Sequence, residues 1–104
     1  MFEKKFACRL TELRRKKGVS TRRMSLELGK SICYISDIEA RHRLPSLKNF
    51  MLICDYLGIT PGEYFDEGNS DPVILRKLIK YQKMLNPKQL THILAIVMDM
   101  LRIQ

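Results

Sequence analysis

The sequence has few cysteines, three in 104 residues, and they fall into no pattern. Cys8, Cys33 and Cys54 form no C-x-x-C pair and stand at no ligand spacing from a histidine, so neither a disulfide framework nor a structural zinc site is expected. Long hydrophobic runs are missing too. No stretch reaches the roughly 18 apolar residues of a membrane span, and Met1 to Lys5, interrupted by Glu3, Lys4 and Lys5, does not read as a signal peptide. Nor is there the apolar–polar alternation of half-buried strands. No nucleophile, base and metal ligand converge at recognisable spacing, so an enzyme reading has no support and no cofactor or metal is implied. What remains is a soluble, cytoplasmic protein with reduced thiols that works by binding.

What is abundant is positive charge, and it is unevenly placed. Of the net charge of +8, residues 1 to 48 hold 13 Lys/Arg against 5 Asp/Glu, residues 49 to 67 hold none against 4, and residues 68 to 104 hold 6 against 2. A basic half of this kind suits a polyanion, because neutralising phosphates releases counterions and drives sequence-independent affinity.

The apolar spacing is helical throughout. Phe2, Phe6, Leu10 and Leu13 define a first helix over Glu3 to Lys17, closed by Gly18, with Arg14, Arg15, Lys16 and Lys17 favouring its negative end. Ser20 caps a second helix through Met24 and Leu28, stopped by Gly29. Ser31 is expected to cap a third, with Tyr34, Ile35 and Ile38 inward, ending near Ala40 before the loop Arg41 to Pro45. Ser46 caps a fourth that runs to Leu57 and Gly58, and Pro61 opens a short fifth. Two helices around a short glycine-containing turn let the second lie in a DNA major groove. The chemistry of the cysteines is modest: Cys8 and Cys54 are placed near the core, and Cys33 reads as a small contact residue rather than a redox switch.

Residues 66 to 71 form a linker of Glu, Gly, Asn, Ser and Asp. A helix over 72 to 85 then carries Ile74, Leu75, Leu78, Ile79 and Met84 on one face. Asn86, Pro87 and Gln89 read as cap, first-turn proline and capping-box partner of a last helix. Leu90, Ile93, Leu94, Ile96, Val97, Met98, Met100, Leu101 and Ile103 cover well over half its circumference. A helix this apolar must pack, either on the preceding domain or on a second copy of itself. The favoured reading is dimerisation through Leu90, Ile93, Leu94, Val97 and Leu101.

Taken together, Arg9-Leu10-x-x-Leu13-Arg14-x-x-x-Gly18-x-Ser20, Leu28-Gly29-x-Ser31-x-x-Tyr34-Ile35-Ser36-x-Ile38-Glu39, Pro45-Ser46-Leu47 and Leu57-Gly58-Ile59 resemble the Cro and phage-repressor (XRE-like) helix-turn-helix family. The resemblance covers residues 5 to 67. It implies an all-α, five-helix, lambda-repressor-like domain over residues 1–67; the two helices beyond it, over residues 71–104, are read from their apolar pattern as a dimerisation element. It also implies transcriptional regulation by operator binding, with residues 31–40 as the recognition helix, and a structural ion pair between Arg9 and Glu39.

At the position opening the second helix, where that family usually bears glutamine, the shorter Thr21 still offers a hydroxyl to phosphate. The outward positions of the recognition helix are Ser31, Ile32, Cys33, Ser36 and Asp37. They include no Arg or Lys for guanine and no Asn or Gln for adenine. Ser36 can bond several bases, Ile32 can meet a thymine methyl, and Asp37 is either an acceptor from cytosine or a solvated helix residue. Tyr34 reads two ways: turned outward, or with its ring packed and its hydroxyl reaching a backbone group or phosphate. Arg22 and Arg23 at one end, and Arg41, His42 and Arg43 at the other, flank the groove-reading helix as phosphate anchors, which position without specifying bases.

The expected function is therefore a homodimeric DNA-binding regulator, a repressor by occlusion. A regulatory protein partner on the C-terminal helices is the route left for control, since the chain has no room for a sensing domain. The alternative is a helix-turn-helix that has lost base readout and serves to bind another protein, to which Asp37 and Ile32 lend support.

Overall fold

The computed structural model describes residues 2–103. Among them the regular structure is entirely helical, in seven helices. By internal contacts the chain falls into two units, which divide between Val73 and Ile74. The division lies beyond the polar linker because Pro72 is buried and Val73 packs against the first unit's core.

The first unit holds α1 (Phe2–Lys17), α2 (Thr21–Glu27), α3 (Tyr34–Glu39), α4 (Leu47–Leu57) and α5 (Pro61–Tyr64). Serine and threonine hydroxyls set the starts of three of them. Ser20 accepts from the Arg23 N–H at 3.0 Å and Ser46 from the Asn49 N–H at 3.2 Å. Thr60 and Glu63 form a reciprocal capping box ahead of α5, and each such cap satisfies amides that the helix itself leaves unpaired. Gly18, Gly29 and Gly58 follow α1, α2 and α4 at φ of 81°, 74° and 72°. That left-handed turn is the one residue type glycine adopts without steric cost.

Leu10, Met24, Ile35 and Ile53 are fully enclosed, and Leu13, Ile38, Leu57 and Ile59 surround them. Burial of side chains of this size contributes about 2 kcal/mol each. At one end five rings meet: Phe6 lies 4.8 Å from Tyr64 and 5.6 Å from Phe50, while Phe2 and Phe65 extend the cluster to the surface, 6.3 Å apart. The buried Tyr64 hydroxyl donates to the Phe6 carbonyl at 2.8 Å.

Arg9 is also buried, and it explains a correction. Its Nε donates to the Tyr64 carbonyl at 2.6 Å, its Nη2 to the Glu63 carbonyl at 2.7 Å, and its Nη1 pairs with Glu12. Arg9 therefore ties α1 to α5 and does not reach Glu39. The partner of Glu39 is Arg14, in the last turn of α1: Nε and Nη2 meet the two carboxylate oxygens at 2.7 and 3.1 Å. The third guanidinium nitrogen donates to the Val19 carbonyl at 2.9 Å. The fork pins the end of α1 to the end of α3, which is the task expected of Arg9. Cys8 is a second correction. It lies on the exposed side of α1, whereas Cys54 is in the core, its thiol pushed up to about 11 by burial with Asp55 adding to the effect.

The second unit consists of α6 (Pro72–Gln82, counted from its N-terminal end in the first unit) and α7 (Pro87–Leu101). Asn86 and Gln89 exchange the two capping-box hydrogen bonds at 2.8 and 3.0 Å. Met84 falls beyond α6, in the connection, and is exposed rather than part of an apolar helix face. No residue of α7 is buried: Leu94, Ile96, Met100 and Leu101 are each more than half exposed. Among the described residues no helix is long and apolar enough to cross a membrane.

Candidate nucleic-acid interface

Helices α2 and α3 are joined by the segment 28–33, and one buried hydroxyl fixes their relation. Ser25 Oγ donates to the Thr21 carbonyl at 2.7 Å, within its own helix, and accepts from the Ile35 N–H of α3 at 2.9 Å. The Ile35 amide lies in the first turn of α3, where no helical carbonyl is available to it, so Ser25 serves as a cap supplied from the neighbouring helix. Ser31, expected to cap this helix, does not. The helix begins at Tyr34, Cys33 is the N-cap residue without a side-chain hydrogen bond, and Ser31 contributes only its carbonyl, to the Tyr34 N–H at 3.0 Å. Ser31, Ile32 and Cys33 therefore stand on the exposed turn before α3 rather than on its first turn.

Along α3 the inward set is Tyr34, Ile35 and Ile38, all buried. Ser36 and Asp37 are half-buried and face away from that set. The Ser36 hydroxyl donates to the Cys33 carbonyl at 3.0 Å, which leaves its lone pairs to accept from a base amino group. Asp37 Oδ1 stands 3.9 Å from His42 Nδ1, which sets an imidazole beside the acid of the reading face.

The cations of the interface differ in how they are held. Arg22 is exposed at the start of α2. Arg23 is exposed too, but its Nε lies 3.3 Å from Glu27. Glu27 in turn accepts from the Tyr56 hydroxyl of α4; that bond above all, opposed by desolvation and aided by Arg23 and Lys17, holds the Glu27 carboxyl below its ordinary value. Part of the Arg23 charge is thus compensated locally. Beyond α3 the backbone turns through Arg41 at φ 67°, the left-handed region in which a non-glycine side chain is strained. The Arg41 N–H reaches the Ile38 carbonyl at 3.0 Å and the His42 N–H the Asp37 carbonyl at 2.9 Å, a Schellman ending with arginine where glycine is the usual occupant. Arg41, His42 and Arg43 all emerge to solvent there.

The Tyr34 ring is packed: the residue is 3% exposed, and its buried hydroxyl has no hydrogen-bond partner among the described residues. Two cations lie over its ring: Arg43 Cζ at 5.0 Å and Lys30 Nζ at 5.7 Å from the centroid. The ring is a platform that holds positive charge beside the reading helix. Lys30 and Ser25 had drawn no attention in the sequence. The legible signal for Ser25 was a hydroxyl adjacent to Met24 on the inward side of a short helix; Lys30 had none beyond its charge. Thr21 is half-buried at the head of α2, next to Arg22. No group of three His, Cys, Asp or Glu side chains is arranged to hold a metal ion among the described residues.

Residues 10–64 match a family model described as helix-turn-helix, a span that takes in the end of α1 and all of α2 to α5. No curated protein and no solved structure matches the chain.

Proposed function

The chain belongs to the Cro and XRE-type helix-turn-helix family and is a DNA-binding regulator, and from that premise we propose that it acts as a homodimeric repressor. In this reading α3 and the turn before it enter the major groove. Ser31, Ile32, Cys33, Ser36 and Asp37 meet base edges; Thr21, Arg22, Arg23, Arg41, His42 and Arg43 meet the flanking phosphates, with Tyr34 beneath Arg43. The observation that carries the proposal is the placement of exposed arginines at both ends of a short exposed reading surface whose angle to α2 is fixed by Ser25. Phosphate contacts from two ends set register, and the few side chains between them choose sequence.

Dimerisation is assigned to α7. Leu94 is 58% and Leu101 64% exposed, with Leu90, Ile93 and Val97 on the same side of the helix. Patches this apolar on a small protein mark a protein interface. A two-fold pair presents two reading helices to a site of matching symmetry, and bound in this way it occludes a promoter. A regulatory protein that competes for α7 would release it.

Selection from a random duplex pool at two salt concentrations tests the proposal. Enrichment of a palindromic site supports it, and the spacing of the half-sites measures the dimer. One observation favours a second reading: the turn before α3 and the outward face of α3 present Ile32 and Asp37, and no Arg, Lys, Asn or Gln. Retention that vanishes with salt and enriches no sequence would turn the protein into a protein-binding module.

A further inference from the structure

Between Ile74 and Met98 the chain carries Arg76, Lys77, Lys80, Lys83 and Lys88 and not one Asp or Glu. A solvated surface normally mixes the two signs, so a single-sign stretch of this length has a direction. On α6, at 100° per residue, Arg76, Lys77, Lys80 and the following Lys83 fall within an arc of about 120°, opposite Leu75, Leu78 and Ile79. All four cations are exposed. The helix dipole accounts for Lys80, in the last turn, and does not reach back to Lys77 in mid-helix. Lys80 Nζ lies 5.7 Å from the centre of the Tyr81 ring, an interaction that leaves its charge on the surface.

The two helices of this unit are chemically unlike. Within α7 the only charged residues are Lys88 and Asp99, so two α7 helices can pair through their apolar sides without opposing like charges. Two α6 helices set against each other along their basic sides would bring lysine to lysine with no acid to relieve it. The basic side of α6 is therefore surplus to self-association and suits a polyanion. A lipid surface is the lesser fit, because interfacial helices commonly add Trp or Phe anchors to a leucine-rich apolar side. The chain has no Trp, and Tyr81 is the only aromatic residue of α6.

We propose that the basic face of α6, through Lys77, Lys80 and Lys83, is a second phosphate-binding surface that grips duplex DNA outside the bases read by α3. The inference rests on the DNA-binding reading above. It makes the second unit a contributor to affinity as well as to assembly, and the contribution is independent of sequence.

The test uses the full chain and a random-sequence duplex, with affinity followed by fluorescence anisotropy across a salt series. Each phosphate contact contributes about 0.9 to the slope of log affinity against log salt. Changing Lys77, Lys80 and Lys83 together to Gln is expected to lower that slope by about 1 to 2.7 per protomer, with helix content and mass in solution unchanged. The corresponding triple change to Arg should keep it. A fall smaller than about 1, with wild-type protein binding the duplex normally, overturns this inference and leaves the reading of α3 intact. A wild-type chain that does not bind the duplex at any salt overturns both. Vesicles of phosphatidylserine and phosphatidylcholine provide the other arm: binding to them that the Gln variant loses, while its DNA slope is unchanged, would reassign the face to a membrane.

Discussion

Replacing Arg41 by glycine should raise stability and lower DNA affinity at once. Arg41 occupies the position after the α3 C-cap at φ 67°, held there by the hydrogen bonds from its own N–H and that of His42 back into the helix. A side chain in this region costs about 1–2 kcal/mol against the following carbonyl oxygen. Glycine removes that cost but widens the unfolded ensemble, which gives back about 0.4–1 kcal/mol. The net gain is about 0.5–1 kcal/mol, a rise in Tm of roughly 2–8 °C for a domain of this size. If the guanidinium sits at a phosphate, the same change lowers the salt slope of DNA binding by about 0.9 per protomer. Thermal unfolding followed by circular dichroism and anisotropy titrations at several salt concentrations measure the two effects separately, and Arg41→Lys, which retains both the strain and the charge, should leave both near wild type. A glycine variant less stable than wild type would refute the argument from strain. An unchanged slope would remove Arg41 from the phosphate contacts.

Three further outcomes are expected. Ser25→Ala strands the buried Ile35 N–H, and after allowance for alanine's better helix propensity it should cost about 1–2 kcal/mol in urea unfolding; an unshifted midpoint would show that the amide is satisfied without Ser25. Tyr34→Phe removes a buried hydroxyl that has no partner among the described residues and keeps the ring beneath Arg43 and Lys30, so stability should hold or rise by up to about 1 kcal/mol with DNA affinity unchanged. A several-fold loss of affinity on that change would mean that the hydroxyl, not the ring, serves the interface. Leu94→Glu with Leu101→Glu should convert the proposed dimer to a monomer in light scattering without loss of helix content, because neither side chain is buried within its own chain; a wild-type chain that is already monomeric ends the assignment of α7 to self-association.

What could be read from the sequence was what acts locally. The caps Ser20, Ser46 and Asn86 bond amides three residues on, and each is legible because its partner's position follows from its own. The glycines after α1, α2 and α4 are legible for the same reason. What failed depends on how separate segments meet. Arg9 and Arg14 both lie on α1, and a motif matched by sequence does not say which of them faces α3; Arg14 reaches Glu39 across 25 residues of chain while Arg9 is spent on carbonyls more than 50 residues away. Ser31 looks like an N-cap, but with the Ile35 amide already satisfied by Ser25 the helix starts three residues later. Cys8 was misplaced because α1 buries Phe6, Ala7, Arg9 and Leu10 in near succession, and one residue's rotation decides which side Cys8 shares. Of the interface, the exposed arginines could be seen as charge; the strain at Arg41 and the cations over Tyr34 could not, since both arise only from the path of the chain after α3.

The contact between the start of α1 and α5 has a consequence for the order in which the molecule is made. Arg9 and Phe6 bond Tyr64 across 55 and 58 residues, so these are closures with a large loop entropy to overcome and little local help. As the chain leaves the ribosome at about 5–20 residues per second, α1, α2 and α3 are all synthesised seconds before Tyr64 exists. During that interval Phe6 and Leu10 lack the aromatic partners that enclose them in the finished fold. The capacity to bind operator DNA is thus expected to arrive late in translation, with five residues of α5 and its cap acting as the clasp on helices already built.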